Sequence, residues 1–413
     1  MRDRLLLDVT PLRASPDFRR LWAAQAVSFL GSMMTTAALP YQVFHLTHSS
    51  LDVGLLGLAQ LGPLLAFSLI GGMLADSFDK RRLLLVVTLL AAACSSGLAA
   101  NAALSQPQLW VVFLLGAASS GVMAVTSPTV RSLLPLLLGP DLRPAAFTLQ
   151  STYGSFGMMV GPAAGGLVIG AFGLVPNYAT DVATFTIALV GFARLAPAPP
   201  VPGVARASAA LLVEGLRFLR GSMVTSIFLI DTLAMVFGMP RALFPALTQR
   251  LGGGPALYGL LLASVAVGAF VVSLLSGWTG RVRHHGAAVL ASVVVWGAAI
   301  AVAGLVRQAQ VVLLMLAVAG AADMVSGVYR STIAADLTPD SHRGRVSGVE
   351  LAVYAGGPVL GDVEAGVVGG LAGVPFAIVS GGLACVVVAA AFAVFVPRLT
   401  RYVRPDTRAW LQT

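Results

Sequence analysis

The chain predicts an all-α membrane protein, with twelve transmembrane helices in two six-helix bundles related by pseudo-two-fold symmetry. Composition, the spacing of apolar runs and the placement of basic residues carry that expectation. Of 413 residues, 57% are hydrophobic and only 10% charged, where ordinary globular proteins have about 25% charged. Mean hydropathy is +0.88. A soluble domain is excluded. At roughly 20 apolar residues per crossing helix, there is material for about a dozen spans.

Apolar runs broken by charge, Pro or Gly place the first six spans at about 21–45, 52–74, 83–104, 108–130, 145–170 and 175–194. The second six fall at about 223–246, 256–279, 287–306, 310–329, 347–370 and 375–396. Between the sets, Pro197, Pro199, Pro200 and Pro202 lead into an amphipathic piece. Its Leu211, Leu212, Leu216 and Leu219 share a side, leaving Glu214, Arg217 and Arg220 to water. The expected organisation is a bundle over 1–195, a cytoplasmic linker with an interfacial helix over 196–221, and a second bundle with a basic cytoplasmic tail over 222–413.

A net charge of +9 would suit nucleic acid if it were gathered on one surface, but the cations are scattered between apolar runs, so no nucleic-acid partner is expected. With both termini cytoplasmic in the inner (plasma) membrane, 23 of the 26 Lys and Arg fall on the inner side, and only Arg241, Arg250 and Arg307 fall outside it. A span count wrong by one would reverse every later loop and destroy that bias. Asp3, Asp8 and Asp17 precede the first span, which does not look like a cleavable signal peptide. Cys94 and Cys385 sit in apolar runs as core packers, and neither a disulfide, a metal site nor a cofactor is implied.

An internal repeat shows in span five, Gly157-Met-Met-Val-Gly161-Pro162-Ala-Ala-Gly165-Gly166, against span eleven, Gly356-Gly357-Pro358-Val-Leu-Gly361. Lipid supplies little hydrophobic drive between helices, so small residues four apart let backbones approach. The prolines remove a backbone hydrogen bond and bend the helix. Ordinary tight packing explains each phrase alone; duplication at matching places favours a shared mechanical role. The turn between spans two and three, Gly72 to Arg82, sets Asp76 before Lys80, Arg81 and Arg82. Positive-inside anchoring accounts for the cations but not for Asp76, which can pair with Arg131 or Arg143 and bias one conformation of the bundle.

These residues resemble the major facilitator superfamily over nearly the full chain. The turn is similar to its G-x-L-A-D-R-x-G-R-R signature at Gly72, Leu74, Ala75, Asp76, Lys80 and Arg81, departing at Ser77 and Asp79. Span five resembles the G-x-x-x-G-P-x-x-G-G signature of proton-coupled antiporters, a resemblance that implies export. Leu51 to Leu56, Pro176 to Asp181, Asp231 to Phe244 and Arg343 to Arg345 look closest to the enterobactin-exporter-like and macrolide-efflux-like branch. In the second half Arg281 stands where the first has Asp76. Span four has no interior arginine, so the proton relay that many drug antiporters build there is not carried over.

Proton coupling is therefore sought among acids within apolar spans, where one charge costs about 2.5–3.5 kcal/mol. Asp231, Asp323, Asp362 and Glu364 stand out. Asp323 shares a helix face with Arg330 two turns on. Asp362 and Glu364 lie about 200° apart on one helix. Glu364 falls near the Gly357 and Gly361 side, which leaves Asp362 as the cavity-facing member. Each acid has a structural alternative, a hydrogen bond to a neighbouring helix. Asp181 either caps span six or lines the outer vestibule. Arg241 either attracts an anionic substrate or reaches to the outer interface. Glu350 suits a salt bridge to Arg343 or Arg345.

Lys80 is the only lysine, so no phosphate-binding G-x-x-x-x-G-K-[ST] loop exists, and ion-gradient coupling remains as the energy source. The expected function is a monomeric secondary transporter in the lipid bilayer, exporting a small amphipathic compound such as a siderophore or drug-like molecule in exchange for protons. Solute uptake by the same fold stays open, as does a polytopic membrane enzyme or receptor.

Overall fold

The computed structural model describes residues 7–199, 222–339 and 342–403. The interfacial helix expected after Pro199, the tail beyond 403 and the Arg343 and Arg345 side chains lie outside the described residues.

The first six long helices are α1 (Pro16–Thr47), α2 (Ser50–Ser77), α3 (Lys80–Ala102), α4 (Leu109–Leu137), α5 (Arg143–Phe172) and α6 (Leu174–Ala193). The next six are α7 (Met223–Arg250), α8 (Pro255–Leu274), α9 (His285–Leu305), α10 (Ala309–Leu337), α11 (Arg343–Ala372) and α12 (Val374–Phe395). Among the described residues, ten of these are long and apolar enough to cross a membrane by composition. The other two, α1 and α6, place buried polar residues against each other: Gln25, Ser28, Thr35 and Gln42 on one, Asn177 and Asp181 on the other. Large apolar side chains such as Leu89, Leu114, Leu167 and Leu371 are exposed, which suits lipid contact. Starts are set locally. Ser15, Ser49, Asp79 and Ser222 each accept a hydrogen bond from a backbone N–H three residues on, satisfying a donor that the first turn cannot.

By chain contact the protein separates into two units, Met1–Ser208 with Thr248–Ala263, and Ala209–Leu247 with Ser264–Thr413. In the first, α1 packs on α5 and α6, and α3 on α4 and α6. The second repeats those pairs six helices later: α7 on α11 and α12, and α9 on α10 and α12. Gly173 and Gly373, with φ of 88° and 89°, turn the chain between the last two helices of each set. A left-handed backbone favours glycine at both.

The structure departs from the sequence expectation in three places. First, α4 and α10 run on to Leu137 and Leu337, so Arg131 and Arg330 stand inside helices rather than at their ends. Hydropathy marks where lipid ends, whereas backbone hydrogen bonding continues into the loop. Second, span seven is interrupted. Helix over Met223–Gly238 gives way to a 3-10 turn at Arg241–Leu243 and resumes at Phe244–Arg250, because Pro240 has no N–H for the helix ladder. Third, α5 and α11 have bounds 200 residues apart, 143–172 and 343–372, while Pro162 and Pro358 are 196 apart. The two prolines therefore lie one turn out of step when the helices are matched by their ends.

Candidate functional site

Within the second unit, Asp231 on α7 and Asp323 on α10 share one guanidinium. Arg330 lies seven residues beyond Asp323, and its side chain leans back along α10. Nη2 comes within 3.5 Å of Asp323 and Nη1 pairs with Asp231. Arg330 and Asp231 are each only 6% exposed. Sequence reasoning had Asp323 and Arg330 on one face; the arrival of Asp231 from another helix was not visible. One cation facing two carboxylates leaves an excess negative charge when both are ionised, and a proton on either acid makes the set neutral.

A second ion pair joins Arg241 to Asp362. Arg241 Nη2 donates to Asp362 Oδ2 at 3.0 Å, and the Ala242 backbone N–H donates to Oδ1 at 3.1 Å. Both carboxylate oxygens are thus engaged by the turn that follows the break in α7. The helical-wheel reading of Asp362 did not foresee this partner, a cation that the broken helix brings onto it. Glu364, partly exposed, has no hydrogen bond or ion pair among the described residues.

In the first unit Asp181 is 1% exposed and is not a helix cap, since α6 starts seven residues earlier at Leu174 with Gly173 as its cap. Thr35 of α1 and Ser95 of α3 each donate a hydroxyl proton to Asp181 Oδ2 at 2.7 Å.

Matching contacts hold the glycine helices. A Cβ on Gly157 would meet Phe29 and one on Gly161 would overlap Met33, while one on Gly165 would press on the Met34 backbone, so α5 lies directly on α1. A Cβ on Gly357 would meet Met235, and one on Gly361 would overlap the Met235 carbonyl oxygen, so α11 lies on α7. Gly166 faces elsewhere, toward Pro255 and Gly259 in the same unit. Pro162 and Pro358 lie inside these helices.

At the Gly72 to Arg82 turn the expected pairing of Asp76 with Arg131 or Arg143 is not formed. Asp76 has no ion pair among the described residues, and Arg143 donates to the Leu138 and Pro135 carbonyls at the end of α4, both at 3.4 Å. Arg131 is exposed. Arg81 donates to the Ala193 carbonyl at 2.5 Å, and Lys80 is 3% exposed with its backbone N–H on the Ala198 carbonyl. Asp79, set aside as a departure from the family signature, caps α3 and also accepts from Ala198 N–H at 2.8 Å. The signal that marks it is an acid immediately ahead of a helical run. A Cβ at Gly72 would meet open space, whereas one at Gly71 would lie 2.9 Å from the Val125 backbone.

A family model described as transmembrane secretion effector matches residues 8–409. The chain is 29% identical over 372 residues to the enterobactin exporter EntS of Shigella boydii serotype 18 (strain CDC 3083-94 / BS512), covering 89% of this chain and 88% of that one. EntS of Escherichia coli O81 (strain ED1a) is 29% identical over 374 residues, with the same coverage. Among solved structures, the nucleoside transporter NupG superposes with a TM-score of 0.76 at 14% identity, covering 92% of this chain and 99% of that one. A bacterial homologue of the lysosomal transporter Spinster gives 0.69 at 16%, covering 97% and 100%. These likenesses show the fold. With twelve spanning helices in two six-helix bundles, the chain is a multi-pass membrane transporter that belongs to the transmembrane secretion effector family of the major facilitator superfamily.

Proposed function

We propose that the protein is a proton-coupled exporter of a small amphipathic compound, siderophore-like or drug-like, working as a monomer by alternating access. Both termini and the basic loops face the cytoplasm. The observation that carries the coupling is the Asp231, Arg330 and Asp323 set. Ionised, it holds one uncompensated charge among apolar helices; protonated once, it is neutral. A charge at mid-helix costs about 2.5–3.5 kcal/mol, which is enough to tie the proton's arrival and departure to a change in how the helices are solvated. Asp362 with Arg241, and Glu364, are further acids on the same route. Asp181 is considered separately below. The duplicated glycine helices supply close-packed surfaces for the movement, and Gly72, Asp76, Lys80, Arg81 and Arg131 form the gate at the cytoplasmic turn. Export is favoured over uptake by the similarity to enterobactin exporters.

The test is flux in oriented proteoliposomes under an imposed pH gradient, using enterobactin and a panel of drug-like dyes as cargo. Wild type is expected to accumulate at least one of them against its gradient in exchange for protons. Asp231→Asn and Asp323→Asn are expected to keep downhill movement and lose the response to the pH gradient. Normal uphill pumping by both variants would refute the coupling assignment, and movement with the proton rather than against it would refute export.

A further inference from the structure

Asp181 is a buried carboxyl group with no cation paired to it among the described residues. Along their helices, Arg20 is 15 residues from Thr35, Lys80 is 15 from Ser95, and Arg194 is 13 from Asp181, which puts these cations about 20 Å away or more at 1.5 Å per residue. Toward the other end, His45 is ten residues from Thr35, about 15 Å along α1. Asp17, Arg19, Arg81 and Arg82 stand at the same helix ends as those distant cations. The remaining ionisable groups on the helices packed around Asp181 are Tyr41 on α1, Cys94 on α3, Tyr153 and Arg143 on α5 and Tyr178 on α6. None bonds to Asp181, and Tyr178 gives its hydroxyl proton to Gln42 at 2.6 Å.

The hydrogen-bond inventory around the two oxygens is unequal. Oδ2 receives both short bonds, from Thr35 and Ser95. Oδ1 has only the Thr184 hydroxyl, at 3.4 Å, and that hydroxyl's single proton already goes to the Asp181 carbonyl at 2.7 Å. An ionised carboxylate here would leave Oδ1 without a donor and buried, an expensive state. With a proton on Oδ1 every group is served. Thr35 and Ser95 donate to Oδ2, Oδ1–H donates to Thr184 Oγ1, and Thr184 donates to the backbone. Room for this exists because residue 31 is glycine: a Cβ there would overlap Thr184 Oγ1 and lie 2.7 Å from Oδ1. The polar seam continues one turn back along α6 at Asn177 and onward to Gln42 of α1, where Asn177 Oδ1 and Gln42 Nε2 are buried without a hydrogen-bond partner.

From this geometry we propose that Asp181 is a proton-binding site of the first unit, a neutral carboxyl group that ties α1, α3 and α6 together through hydroxyls. Releasing the proton sets Oδ1 in competition with the Asp181 carbonyl for the Thr184 hydroxyl within α6, while Thr35 and Ser95 stay on Oδ2. The site stands independently of the coupling proposed for the second unit, because a carboxyl group can hold a proton whether or not that proton is transported.

Infrared spectroscopy on the full chain in lipid nanodiscs at neutral pH tests it directly. Wild type is expected to show the C=O stretch of a protonated carboxyl group that is missing in Asp181→Asn. The band should shift in Ser95→Ala and in Thr35→Val, each of which removes one donor to the carbonyl oxygen. Should Asp181→Asn fail to fold, the shifts in the two hydroxyl variants carry the test alone. A carboxyl region identical in wild type and all three variants would overturn the proposal. So would a band that appears only when sodium is removed, since the site would then take a metal cation in place of the proton. Neither result depends on whether the protein pumps.

Discussion

In the first unit the deeply buried acid, Asp181, is held by two hydroxyls from neighbouring helices; in the second, Asp231, Asp323 and Asp362 are each held by a guanidinium. Helix order and the four packing pairs named above recur in the second unit. The fold therefore does not dictate how a buried carboxyl is accommodated. Both solutions satisfy the rule that a polar group taken out of water needs a partner. They differ in what they allow. A hydroxyl-bonded acid is stable when neutral, while an arginine-bonded pair of acids keeps charge inside the membrane and has one negative charge to spare.

Removing the cation should expose the contrast most sharply. Arg330→Ala strands two carboxylates, and breaking a buried ion pair from one side costs about 3–5 kcal/mol. A large fall in melting temperature of the detergent-solubilised protein is expected, partly reversed by adding Asp231→Asn. An unchanged melting temperature would mean that the set contributes nothing to the fold. Asp362→Asn comes next, because hydrogen bonds to charged groups contribute about 1.5–3 kcal/mol. Amide exchange at Ala242 should accelerate, and if it does not, the turn after the break in α7 is held by something else.

The glycine helices offer the opposite comparison, a feature that the units share. Gly161→Leu and Gly361→Leu should each cost about 1–3 kcal/mol by overpacking and impair transport to a similar degree. Gly154→Leu, where a Cβ meets open space, serves as the control for melting. Unequal losses would show that the two helices carry different mechanical roles. The smallest effect is expected at Asp79→Ala, about 1 kcal/mol for a lost cap, seen as faster exchange at the Arg82 and Ala198 amides.

Much of the fold was legible before any coordinates. The helix order, the paired glycine helices and, to within one turn, the match of the two halves followed from residues within a few turns of each other. The candidate acids were legible as residues but not as partners. Asp323 and Arg330 are seven apart on one helix, so the wheel found them. Asp231 meets Arg330 across nearly a hundred positions of chain, and Asp362 meets Arg241 only because Pro240 breaks α7. Asp181 was read as either a cap or a vestibule residue because it stands near a helix start, and the two hydroxyls that hold it come from helices far away in sequence.

What the sequence determined by itself is membrane residence, the number and order of helices, and which acids lie within apolar runs. These depend on hydropathy and on the cost of a charge in lipid, both properties of a residue and its immediate neighbours. Only the tertiary structure decided which acids face an arginine and which face a hydroxyl, and that Asp76 faces neither of the cations within its reach. Ion pairs and hydrogen bonds act over about 3 Å between atoms, so their partners are chosen by how helices dock, which no local pattern records.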